Sequence, residues 1–114
     1  MEVTKDRQQL IHEAAEKLQL VGTGQPLEPE YAAQINNNID PLLLQLRVDK
    51  ICEVGDDSAI PCEWFDAIAT LLANVSAPLG GGRMDPNIKD YSERLLRRIT
   101  AADPSYEILE GQYI

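Results

Sequence analysis

The stretch that decides the fold is Ala59–Gly82, "AIPCEWFDAIATLLANVSAPLGGG". It is the most apolar part of an acidic chain, and it holds the only tryptophan, Trp64, and the only phenylalanine, Phe65. Pro61 suits the first turn of a helix, where a missing N–H costs nothing. Glu63 and Asp66 then fall near the positive end of the helix dipole. Phe65, Ile68, Leu72 and Val75 recur at helical spacing, while Trp64, Leu71 and several alanines widen the apolar face nearly all the way round. Such a helix belongs in the middle of a bundle. It is too short for a bilayer, which takes about 20 apolar residues. The closing glycines Gly80, Gly81 and Gly82 read as a helix stop and turn. They follow a helix rather than a strand and lack the Lys-Ser/Thr of a phosphate-binding loop, so "GGGR" (Gly80 to Arg83) is not read as one.

Three further helices surround this one in the sequence. After Thr4 as a candidate N-cap, Leu10, Ile11, Ala14, Leu18 and Val21 keep helical spacing, and "VGTGQP" is expected to stop the helix near Leu20. Ile35, Ile39, Leu42, Leu43 and Leu46 form the next series. Its phase continues across Pro41. Either one long helix kinks there, or Asp40 caps a new one; the unbroken phase favours a single kinked helix ending near Ile51. "CEVGDDSA" is then a short connection. Asp85 caps and Pro86 opens the last helix, with Ile88, Tyr91, Leu95 and Ile99 as its expected buried face and Leu96 beside them. Pro104 ends it. The remaining "SYEILEGQYI" is apolar, lacks a helical cap and is expected to be extended. The fold class is therefore all-α: a small four-helix bundle over residues 1–103 with an extended C-terminal segment at 104–114.

A length of 114 residues suits one domain, and 44% apolar residues suit a globular one. The formal charge of −9 argues against a general nucleic-acid coat, which needs a basic face. Cys52 and Cys62 are too few to staple a secreted mini-domain and fit no zinc spacing, so both are expected as reduced thiols, a single disulfide being the less favoured alternative. The N-terminal residues lack the apolar core of a signal peptide, which points to a cytosol-like compartment.

Few residues suggest chemistry. "HEAAE" (His12 to Glu16) resembles a zinc-protease helix signature, but Glu16 replaces the second histidine and the chain has no other. A Ser-His-Asp set is unsupported for the same reason, and "VGTG" is only a fragment of a dinucleotide fingerprint. No enzyme, metal site or cofactor is expected. Arg94, Arg97 and Arg98 form a basic stripe. Asp90–Arg94 and Glu93–Arg97 are spaced for ion pairs, so the plain reading is a charged surface helix, and the alternative is contact with DNA or an acidic partner.

"EKLQLVGTGQPLEPE", "NNNIDPLLLQLRVDKI" and "IPCEWFDAIATLLANVSAPLGG", in this order, resemble the small helical head-to-tail adaptor proteins of tailed bacteriophages, the tail-accessory or head-completion family of short-tailed phages. The likeness covers roughly Leu10 to Gly82 by pattern, and the rest by layout. It implies a structural virion protein, made in the host cytoplasm and placed in the head-tail neck. About twelve copies would form a ring under the portal, extending the DNA channel and offering a platform to a downstream neck or tail protein. Packaged DNA would pass without sequence-specific binding. The resemblance also implies that the C-terminal segment docks on the portal, here through Tyr106, Ile108, Leu109, Tyr113 and Ile114. Arg94, Arg97 and Arg98 would face the channel or a neighbouring subunit. The competing readings are an acidic cytosolic helical interaction module, such as a regulator or inhibitor, and an enzyme subunit with unrecognised chemistry.

Overall fold

A computed structural model describes residues 4–22, 25–54 and 59–102. Among them the chain is mostly helical. Four α-helices, α1 (Arg7–Lys17), α2 (Pro29–Val48), α3 (Cys62–Val75) and α4 (Pro86–Ala102), are accompanied by two short strands, β1 (Thr4–Lys5) and β2 (Ile60–Pro61), and a 3-10 turn at Ala77–Gly80. The strands pair antiparallel, Thr4 opposite Pro61 and Lys5 opposite Ile60, so the start of α1 is fastened beside the start of α3.

Helix α3 is the hub. It packs on α1, α2 and α4 and on both strands, and α4 makes its main contacts with α3. Trp64, Phe65, Ala67, Ile68, Ala69, Leu71, Leu72, Ala73 and Asn74 are all buried, as a helix apolar around most of its circumference requires. Leu10, Ile11, Ala14 and Ala15 from α1, Ile35, Ile39 and Leu46 from α2, Leu96 from α4, and Ile51, Cys52 and Ile60 join it in the core. Helix α2 does run unbroken through Pro41. Pro41 and Asn37 are both exposed, so the Asn37 carbonyl deprived of its intrahelical donor faces solvent.

The helix boundaries differ from the sequence expectation in instructive ways. Thr4 lies in β1, and Asp6 is the true N-cap of α1. Its carboxylate accepts from the Gln9 N–H at 2.8 Å, and the Gln9 side-chain oxygen accepts from the Asp6 N–H at 2.8 Å. This reciprocal box fixes two donors that a lone threonine would not. Nor do glycines stop α1 and α2. Gln19 and Lys50 take left-handed backbone angles, φ 60° and 57°. The Leu20 N–H then reaches back to the Ala15 carbonyl and the Ile51 N–H to the Leu46 carbonyl. Both are Schellman closures built on non-glycine residues. After α3, Gly81 takes φ 84° at the end of the 3-10 turn, where a left-handed residue is required.

The buried face of α4 is not the expected one. Ser92, Leu96 and Thr100 are buried. Leu95 and Ile99 are half-buried, Ile88 is 40% exposed and Tyr91 is 64% exposed. Small Ser92 and Thr100 allow α4 close to an alanine-rich α3. The Thr100 hydroxyl lies 2.9 Å from the Leu96 carbonyl and 3.2 Å from the Ile51 carbonyl, so its polarity is satisfied by backbone.

Candidate functional site

Helix α4 carries the arginine stripe that the sequence reads as a charged surface and, alternatively, as a contact for DNA or an acidic partner. Its start is fixed by two devices. The Asp85 carboxylate accepts from the Asn87 N–H at 2.9 Å, capping the helix. Asn74, buried near the end of α3, donates to the Asp85 carbonyl at 3.0 Å and accepts from the Asp85 N–H at 2.7 Å. One side-chain amide thus pairs with both backbone groups of one residue, pinning the two helices together.

From that anchor α4 presents Arg94, Arg97 and Arg98, all exposed. Arg94 Nη2 meets Asp90 Oδ2 at 2.7 Å, as its spacing predicts. The other expected pair does not form: Lys89 Nζ takes the Glu93 carboxylate at 2.8 Å. Hydrogen bonding to Glu93, opposed by slight burial and aided by the charges of Glu93, Asp49 and Asp90, raises the Lys89 pKa above its ordinary value. Among the described residues, Arg97 and Arg98 have no ion-pair partner. Two of the three arginines are thus left available to an outside anion or carboxylate. The expected portal-binding residues Tyr106, Ile108, Leu109, Tyr113 and Ile114 lie outside the described residues.

Between α2 and α4 runs a groove of about 200 Å³. Leu71 and Val75 of α3 form its floor, Pro41, Leu42 and Leu46 one wall, and Lys89 and Glu93 the other. Comparison of the chain with family models, with curated proteins and with solved structures finds no significant match. The geometry of these surfaces is therefore what bears on function. Sequence reasoning missed the groove because its walls come from helices far apart in the chain. It missed Asn74 because an asparagine amid apolar residues gives no periodic signal.

The "HEAAE" segment forms no metal template. Among the described residues no group of three or more His, Cys, Asp and Glu side chains is placed to hold a metal ion. His12 is instead a clasp. Its Nδ1 lies 2.8 Å from Glu16 Oε2 and its Nε2 lies 2.8 Å from the Gln25 carbonyl, tying α1 to the α1–α2 connection. Both partners are acceptors, so only the doubly protonated ring satisfies both. The hydrogen bond to the Gln25 carbonyl, opposed by slight burial and helped by Glu16 and Glu13, raises the His12 pKa above its ordinary 6.5. The clasp therefore stabilises the fold fully below that ordinary value. Its contribution is lost as pH rises through the raised folded value. Urea midpoints of wild type and His12→Gln, compared from about pH 5.5 to about pH 8.5, are expected to converge as pH rises. A difference independent of pH would contradict the clasp.

Cys52 and Cys62 are free thiols. Burial pushes Cys52 up to about 12, so it is an inert core residue rather than a nucleophile. Among the described residues no helix is long and apolar enough to cross a membrane.

Proposed function

We propose that the chain is a non-catalytic structural protein of a tailed bacteriophage, a head-to-tail adaptor that assembles as a ring beneath the portal. The observation that carries this reading is the ordered set of three sequence blocks, from Glu16–Glu30 through Asn36–Ile51 to Ile60–Gly81, which resembles that family. The four helices are read as a small bundle with α3 at its centre, a rigid body suited to repeating around an axis. Support also comes from α4, which leaves Arg97 and Arg98 free among the described residues and an apolar flank uncovered beside them. A chain of formal charge −9 repeated around a DNA channel gives a wall that repels the duplex rather than holding it, as passage requires.

In this reading residues 104–114 dock on the portal through Tyr106, Ile108, Leu109, Tyr113 and Ile114, by strand addition or groove insertion. Deleting residues 105–114 is expected to leave the helical circular-dichroism signal nearly unchanged and to abolish capture on immobilised portal rings. Capture with unchanged affinity would move the dock to another face. Changing Arg94, Arg97 and Arg98 together to Gln is expected to preserve folding but impair ring assembly or DNA retention in particles. Fully infectious particles carrying the triple change would leave these arginines a solvated surface only.

A further inference from the structure

The exposed large apolar side chains among the described residues are Leu44, Val48, Met84, Ile88 and Tyr91. They fall into separate sets. Leu44 and Val48, 57% and 63% exposed, lie with exposed Pro41 along the outer edge of α2, beside the α2–α4 groove. Ile88 and Tyr91, with half-buried Leu95, lie along α4. At 3.6 residues per turn, the buried row Ser92, Leu96 and Thr100 runs between this flank and the groove-lining pair Lys89 and Glu93. The α4 flank therefore faces away from the groove, and the two apolar faces are on different sides of the molecule.

We propose that these faces are the two halves of one contact, in which the α4 flank of one copy seats in the α2–α4 groove of the next, with Tyr91 as the anchor. This deepens the adaptor reading and rests on its claim that the chain self-assembles. Charge selects this pairing. Arg94 and Arg98 border the α4 flank. A two-fold pairing of that flank with itself would bring arginines near arginines. Lys89 and Glu93 line the groove as an ion pair, and Asp49 lies beside it within reach of the Lys89 charge, which leaves one carboxylate in excess at that edge. Gln45, which lines the groove, holds the Asp49 carboxylate at 2.9 Å. An apolar flank edged with arginine thus meets an apolar groove edged with carboxylate. A groove of about 200 Å³ takes one large side chain, and Tyr91 is the most exposed large apolar residue described. Pairing unlike faces leaves one free face at each end, so the contact propagates until a ring closes or a filament grows.

The test uses two full-length variants, Tyr91→Asp, which disables the flank, and Leu44→Lys with Val48→Lys, which disables the groove edge by setting lysines against the arginines of the flank. All three positions are exposed, so each variant is expected to melt cooperatively near the wild-type temperature. Native mass spectrometry is expected to show wild type forming species larger than two copies as concentration rises, and each variant alone remaining monomeric. An equimolar mixture of the variants is expected to give one-to-one dimers and nothing larger, because one copy keeps only its groove and the other only its flank. Should Tyr91→Asp fold poorly, Arg98→Glu supplies the second reading, weakening assembly by about tenfold or more at low salt. Assembly of either apolar variant as strong as wild type would overturn these faces while leaving self-assembly standing. A mixture that stays monomeric overturns the pairing. Wild type that is monomeric until residues 104–114 are removed would assign the flank to the chain's own C-terminal segment. Wild type that is monomeric in both forms overturns the contact, and portal capture then decides the adaptor reading separately.

Discussion

Leu72→Ala is expected to lower the unfolding free energy by about 2–5 kcal/mol, the range for a buried large-to-small change. Leu72 is fully buried on α3, the helix against which α1, α2 and α4 all pack. A cavity in this close-packed interior can collapse only if the surrounding elements shift. A small domain has only about 5–15 kcal/mol of total stability, so the variant should sit close to unfolding at moderate temperature. Phe65→Ala is expected to cost a similar amount and also removes the ring 4.7 Å beneath the Lys5 ammonium. Leu44→Ala, at an exposed α2 position, is the control and should stay within about 0.5 kcal/mol of wild type. Urea denaturation followed by circular dichroism measures all three. Near-neutral shifts for Leu72→Ala and Phe65→Ala would remove α3 from the centre of the fold.

Asn74→Ala is expected to be the next most damaging change, at about 1–3 kcal/mol. The buried amide pairs with both the N–H and the carbonyl of Asp85, so truncation leaves the N–H without a partner and the carbonyl with the Lys89 N–H alone. It also frees the first turn of α4 from α3. The expected signature is faster amide exchange confined at first to the start of α4, where local opening is easiest. Asn74→Asp separates the two bonds: it keeps an acceptor for the Asp85 N–H but loses the donor to the carbonyl. A loss at least as large as that of Asn74→Ala follows at neutral pH, because a buried carboxylate oxygen then faces the Asp85 carbonyl where the amide donor sat at 3.0 Å. If Asn74→Ala melts with wild-type midpoint and wild-type exchange, the clamp contributes nothing.

The parts of the fold legible in the sequence were those with strong apolar periodicity. Ile35, Ile39 and Leu46 continued in phase across Pro41, and the helix is unbroken there because the proline lies on the solvent side. Helix α3 was legible because an apolar surface all round has only one place to go. Helix α4 misled for a physical reason. Its most hydrophobic row, Ile88, Tyr91 and Leu95, is turned mostly to solvent, while the row that packs on α3 is Ser92, Leu96 and Thr100. Hydrophobic periodicity reports which face avoids water, and that need not be the face turned to the chain's own core. The arginine stripe was legible as an exposed surface, but the partner of Glu93 was not. Lys89 and Arg97 are equally spaced from it, and only side-chain geometry decides between them. The short strands escaped notice because two residues carry no period. The helix stops escaped notice because Gln19 and Lys50 are not residues that favour a left-handed backbone.

The adaptor reading is tested most directly by mixing the purified full-length chain with intact portal rings and weighing the product by native mass spectrometry. The expected product is a single complex in which each portal subunit gains one copy of the chain, about twelve in all, appearing without substoichiometric intermediates once assembly is cooperative. Portal rings that keep their own mass at the highest chain concentration would contradict it.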